Sequence, residues 1–174
     1  RQSISQQAMQ ASEFSQISVD AQQDVLKRHL LEIANQLSSG ATTFAATAAI
    51  ELAEIARTAG GIDLILTQPA ADIASRHLGS RLRAASLAGA VKGEITVAGA
   101  CAGAVHAIAT DYRGGTWLLH PDRDLICGQG PDLRKSILGI FEGLSGLLQY
   151  DPSSVAASVN ALASLLTVHR SAEY

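Results

Sequence analysis

Aromatic side chains are scarce in this sequence: three Phe, three Tyr and one Trp, 4% of 174 residues. With 47% apolar residues overall, the core must be built from Ala, Leu, Ile and Val. Small side chains let helices approach closely, and Ala has the highest intrinsic helix propensity, so both facts favour an all-α fold. Cysteine is nearly missing too. Cys101 and Cys127 make no disulfide framework, and each reads as a reduced, small core residue of a cytoplasmic protein. Basic residues never concentrate. The densest group is Arg76, Arg81 and Arg83, the net charge is −3 and the pI about 5.9. That excludes nucleic acid as the main partner, since such binding needs a concentrated positive footprint. No apolar run is long and pure enough to span a membrane; the best, Ala84–Ala109, is interrupted by Lys92 and Glu94.

Catalytic and metal motifs are absent as well. There is no Glu-x-x-His pair for a di-iron bundle, no Gly-x-Ser-x-Gly elbow and no phosphate loop. Cys101 and His106 stand five apart, and His120 and Cys127 seven apart, neither being a ligand spacing. The expectation is a protein with no enzymatic activity, no metal and no cofactor. The alternative is a sensor domain holding a small molecule or cofactor with His77, His106 or His120, against which the dearth of aromatics argues.

What is present is helical periodicity. The clearest stretch runs from Leu133 to Leu148, where Ile137, Ile140, Phe141, Leu144 and Leu148 fall at i, i+3, i+4, i+7 and i+11. Pro131 and Asp132 stand at its start. Asp151 and Pro152 then open a last helix as N-cap and first helical residue, with Val155, Val159, Leu162 and Leu166 as its inward stripe. These two helices, 132–149 and 152–170, form an antiparallel hairpin.

Upstream, Asp20 to Gln23 forms a capping box, and Val25, Leu26, Leu30, Ile33 and Leu37 mark a helix that Gly40 ends. Thr42 or Thr43 begins a second helix carrying Phe44, Ala48, Leu52 and Ile55, stopped by Gly60 and Gly61. Asp63–Leu66 continues it or bridges onward. Gln68 and Pro69 open a third, with Ile73, His77, Leu78, Leu82 and Ala85 inward and Asp72, Arg76 and Arg83 outward. Glu94 to Thr110 is a fourth, with Ile95, Ala98, Cys101, Ala102 and Val105 inward; Gly99 and Gly103 make a groove for another backbone. Residues 111–131 hold four glycines, two prolines and Trp117. They read as one long irregular loop, with 116–119 and 124–127 as strands of a small hairpin around His120. Trp117 and Leu118 either belong to a functional loop or lid the end of the bundle. The expected architecture is an antiparallel bundle of about five to six helices. It forms one domain over 1–174, or two small bundles sharing a long helix, with 1–17 a loose arm or a short helix. The chain begins at Arg1 without Met or signal peptide, so it reads as a piece of a longer protein.

The run Gly139 to Leu148, followed by Asp151 and Val155, resembles the Gly-Ile-x-x-Gly-x-Ser-x-Leu-Leu helix and following Asp of the first head bundle of the vinculin family. Val97 to Cys101 with Val105 is similar to the Val-x-x-Ala-Cys helix that precedes it there. The likeness covers about 60 residues, 97–155, with a longer loop between the two motifs. The related α-catenin and talin-rod bundles share the Ala-rich, aromatic-poor composition. The resemblance implies a non-catalytic linker of cytoskeletal adhesions whose bundle captures an amphipathic helix, from a partner or from a second copy of itself. The seam that would take it is Ile137, Ile140, Phe141 and Leu144 on one helix with Val155, Val159 and Leu162 on the other. A self-assembling structural subunit is the remaining reading.

Overall fold

The computed structural model describes residues 24–86, 90–119 and 143–171. Every regular element among them is a helix. α1 occupies 24–38, α2 Thr42–Arg57, α3 Gly61–Thr67, α4 Pro69–Ser86, α5 Lys92–Ala109 and α6 Tyr112–Leu118. Among the described residues 143–146 are helical, α7, and tighten into a 3-10 turn at Leu147–Gln149, and α8 spans Pro152–Ser171. The all-α bundle expected from composition is what the chain forms.

α5 is the axis, touching α2, α4, α6 and α8. A helix surrounded in this way must be apolar around most of its circumference. Here Val97, Ala98, Cys101, Ala102, Ala104, Val105 and Ala107–Ala109 are buried. Their small size brings the neighbouring helices close.

Direction follows from which ends meet. An added Cβ on Gly93 would stand 3.1 Å from the Thr42 hydroxyl, while Ala56 and Arg57 share a cleft with His106 and Ala107. Each pair lies fourteen or so residues up its own helix, so α2 and α5 run parallel. α8 follows the same direction, with Ser154 beside Gly99 and Ser164 beside His106. α1 runs opposite to α2, His29 Nε2 lying 3.5 Å from Glu51 Oε2 while the far end of α1 meets Arg81 of α4. One buried cluster links residues from Leu30 in α1 to Leu165 in α8.

Local chemistry sets the ends. Asp151 caps α8 as expected, its carboxylate accepting the Ser154 N–H and the Ser153 and Ser154 hydroxyls. Those bonds, Ser153 first, hold its pKa at about 2. α2 ends at Thr58, whose N–H and hydroxyl both donate to the Ile55 carbonyl. Gly60, at a left-handed φ of 76°, then opens α3, and Gly61 sits tight against that same carbonyl. Gly40 does not close α1 with a left-handed φ, because Gly60 is the residue with positive φ among those described. The guanidinium of Arg81 closes it instead, donating to the carbonyls of Leu37, at 3.1 Å, and Ser39.

Several sequence expectations need correction. The stretch opening the supposed irregular loop is a helix, α6, capped by the Asp111 side chain, so 116–119 is no hairpin strand. Gly114 and Gly115 had suggested a loop, yet they serve packing: a Cβ on Gly114 would collide with the Ile108 carbonyl, and one on Gly115 would stand 2.5 Å from Val168 Cγ2. Trp117 and Leu118 are buried, lidding the bundle end. Phe44 and Ile73 point outward, at 60% and 46% exposure, and Val25, Leu26 and Leu148 are also exposed. Gly99 meets Ser154, but nothing lies within 4 Å of a Cβ at Gly103.

The largest correction concerns α8. Its buried face is Ser154, Ser158, Ala161, Leu165 and Val168. Val159 and Leu166 are exposed, each at 49%, and Val155 and Leu162 are half-buried. The helix is rotated about a quarter turn from the orientation its large side chains suggest. In this orientation it is the small Ser154 that faces Gly99 of α5. The expectations on residues 1–17, Asp20–Gln23, Cys127, the 124–127 strand and the 132–142 part of the penultimate helix lie outside the described residues.

Candidate functional site

Two surfaces of the bundle carry chemistry worth weighing. The first lies where the ends of α2 and α5 meet α3 and α6. An open cleft of about 590 Å³ runs there between Ala56–Thr58 and Asp63 on one side and His106, Thr110, Asp111 and Arg113 on the other. Arg113 Nη1 donates to Asp63 Oδ1 at 2.5 Å and Nη2 to Asp111 Oδ2 at 3.1 Å, tying α6 to α3. The Asp111 carboxylate also accepts the Arg113 N–H at 2.8 Å. These Arg113 bonds hold the Asp111 carboxyl below its ordinary pKa, and the same carboxylate raises that of Arg113. The guanidinium is therefore engaged by two carboxylates, which leaves little attraction for an anion. Arg113 and Asp63 are exposed and Asp111 is half-buried, so water screens the ion pairs and they add little stability.

His106 stands between this cleft and a second of about 370 Å³ lined by Tyr112, Ser164 and Thr167. Its Nδ1 lies 2.8 Å from Ser164 Oγ, joining α5 to α8. This is the nearest approach to a nucleophile and base in the described residues. A working pair also needs a group that orients the imidazole and donors for the developing oxyanion. No carboxylate is bonded to His106 among the described residues. A serine hydroxyl both donates and accepts, so the contact persists in either tautomer. Its chemistry is that of a tie between helices.

Among the described residues no other histidine joins it in a cluster. His77 is half-buried on α4; burial, then the neighbouring Arg81 charge, pushes its pKa down. His120 lies outside the described residues. Cys101 is fully buried in α5, and burial pushes its thiol up to about 12. Among the described residues no three His, Cys, Asp or Glu side chains are placed to hold a metal ion. No described helix is long and apolar enough to cross a membrane.

The second surface is the outer face of α8. From Pro152 to Val168 the helix carries no charged residue anywhere on its circumference. An edge helix ordinarily presents charge to solvent. This one presents Val159 and Leu166, flanked by half-buried Val155 and Leu162, at i, i+4, i+7 and i+11. Beneath them, the Ser158 hydroxyl donates to the Leu144 carbonyl and fixes α7 against α8. Tyr150 Oη likewise donates to the Ala85 carbonyl at 2.8 Å.

No protein-family model, curated protein or solved structure matches this chain. The site residues expected from the sequence therefore stand on geometry alone. Leu144 is fully buried, between α4 and α8, and inaccessible to a partner while the bundle stays closed. Val155, Val159 and Leu162 are instead on the accessible flank of α8. Ile137, Ile140 and Phe141 lie outside the described residues. Sequence reasoning passed over the Arg113 bridge and the His106–Ser164 contact, which join groups 50 and 58 residues apart. No local spacing signals such pairs.

Proposed function

We propose that the protein is a non-catalytic binding module that takes up an apolar helix along the outer flank of α8. The observation that carries this is the four-residue stripe Val155, Val159, Leu162 and Leu166 on a stretch, Pro152 to Val168, that carries no charged residue. Two exposed large apolar side chains are ordinary for a surface. An apolar stripe repeated over three helical turns, with no charged residue between its ends, is the pattern of helix-in-groove recognition. The rigid frame behind it, α5 packed through alanines and the Ser158–Leu144 bond, holds the stripe in register.

The class of role, a linker of cytoskeletal adhesions, rests on the resemblance of residues 97–155 to the vinculin family. Within that stretch α5 carries Val97–Cys101 as a helix and Asp151 acts as a helix cap, both in keeping with it. A cytoplasmic setting belongs to the same reading.

Selection of helical peptides from a displayed library on the intact chain tests the binding role. The expected winners carry Leu, Ile or Val at i, i+3 or i+4, and i+7, and lose binding at least tenfold to Val159→Glu. Winners without that pattern, or ones that bind V159E equally well, would overturn it.

A further inference from the structure

Resting on that reading of α8, we infer that the helix it accepts is α8 of a second copy, laid antiparallel about a two-fold axis at the level of residue 161. The argument starts from the residues that face outward. Ala156, Val159, Ala163 and Leu166 are all exposed and recur at spacings of three and four, the spacing of a helix–helix seam. Small and large side chains alternate along it: Ala, Val, Ala, Leu.

That order decides the direction of pairing. Two parallel copies in register would set Ala against Ala and Leu against Leu, leaving gaps at one level and crowding at the next. Two antiparallel copies set Ala156 against Leu166 and Val159 against Ala163 at every level. Large then fills small throughout, and close-packed interiors demand this. The flanks obey the same symmetry. On one side Leu162 meets its own copy, and on the other Asn160 does, where two side-chain amides can each donate and accept. A two-fold interface needs one patch complementary to itself, and this patch is.

Charge supports the same occupant. With no charged side chain from Pro152 to Val168, the face repels nothing and offers no partner for a charge. A charged guest helix would lose hydration without compensation. Its own uncharged face, with large and small side chains in matching order, meets both requirements. A seam of one helix pair is small against the roughly 1,200–2,000 Å² of stable interfaces, so the dimer falls in the weak, concentration-dependent class.

Sedimentation velocity on the intact chain over a thousandfold range of concentration tests the pairing. Wild type is expected to pass from monomer to dimer within that range. Val159→Ala, which leaves Ala facing Ala, and Ala163→Val, which sets Val against Val, should each weaken the dimer at least tenfold. The double variant V159A/A163V restores the large–small match and should recover association to within about threefold of wild type. Far-UV circular dichroism confirms that each variant is folded. A wild-type chain that stays monomeric throughout overturns the pairing, as does a double variant no better than either single one. If library peptides still bind at Val159 while the chain stays monomeric, the self-pairing fails and the binding role survives; failure of both assays removes both.

Discussion

Cys101 shows what the scale of one residue contributes. It lies on the most enclosed helix, with no exposed surface, and burial holds its thiol proton far more firmly than water would. Thiolate, not thiol, is the nucleophile. Native protein at pH 8 is therefore expected to leave Cys101 unmodified by iodoacetamide, while unfolding in urea exposes it at once. Peptide mass spectrometry reads that site separately from Cys127. The same shift has a consequence for stability. The folded thiol titrates at about 12 and the unfolded one near its ordinary 9.0, so this contribution is intact below pH 9 and fades as the pH rises above it. Rapid labelling of Cys101 in the native state at pH 8 would contradict the enclosure. Burial of this cysteine was legible from the sequence, since it sits in an alanine-rich helix with an apolar neighbour at each turn. The outward turn of Phe44 was not, because a lone phenylalanine on a helix stripe carries no sign of whether a neighbour will cover it.

Between elements, glycine decides contact, and its two roles can be separated experimentally. Gly103 lies inside α5 with nothing within 4 Å of an added Cβ. Gly103→Ala is expected to stabilise the protein by about 0.5–1 kcal/mol, by restoring helix propensity and restricting the unfolded chain. Gly114→Ala should do the opposite, costing more than about 2 kcal/mol, because the new methyl runs into the Ile108 carbonyl. Urea midpoints of the two variants check both signs; equal shifts would mean the α5–α6 corner is looser than described. This scale is also where sequence reading failed most. α6 reads as a loop since paired glycines and a tryptophan look like turn chemistry, whereas the glycines admit a carbonyl and a valine. In α8 the large side chains dominate the periodicity and point to a face about a quarter turn from the packed one. The packed face begins with two serines and an alanine before Leu165 and Val168, and Ser154 meets Gly99 fifty-five residues earlier. Helix ends fared better, because Asp151 and Pro152 act on their immediate neighbours.

At the scale of the molecule a single buried cluster runs from α1 through α8. Two half-bundles sharing a helix would each have a core of their own. One continuous cluster predicts one cooperative transition. Unfolding in urea followed by Trp117 fluorescence, which reports the α6 end, should coincide with unfolding followed by far-UV circular dichroism, which reports every helix. Midpoints differing by more than about 0.3 M, set against slopes of roughly 1–3 kcal/mol/M for small proteins, would show that the α6 end melts separately.

The shared direction of α2, α5 and α8 has a kinetic cost. Helices that follow one another in a simple up-and-down bundle meet their neighbours across short turns. Here the central rod must wait for one flank made some fifty residues before it and another made some fifty residues after. Pairings so distant along the chain close large loops before they gain contacts, and mean sequence separation sets folding speed. This all-helical chain should therefore refold more slowly than its secondary structure alone would suggest.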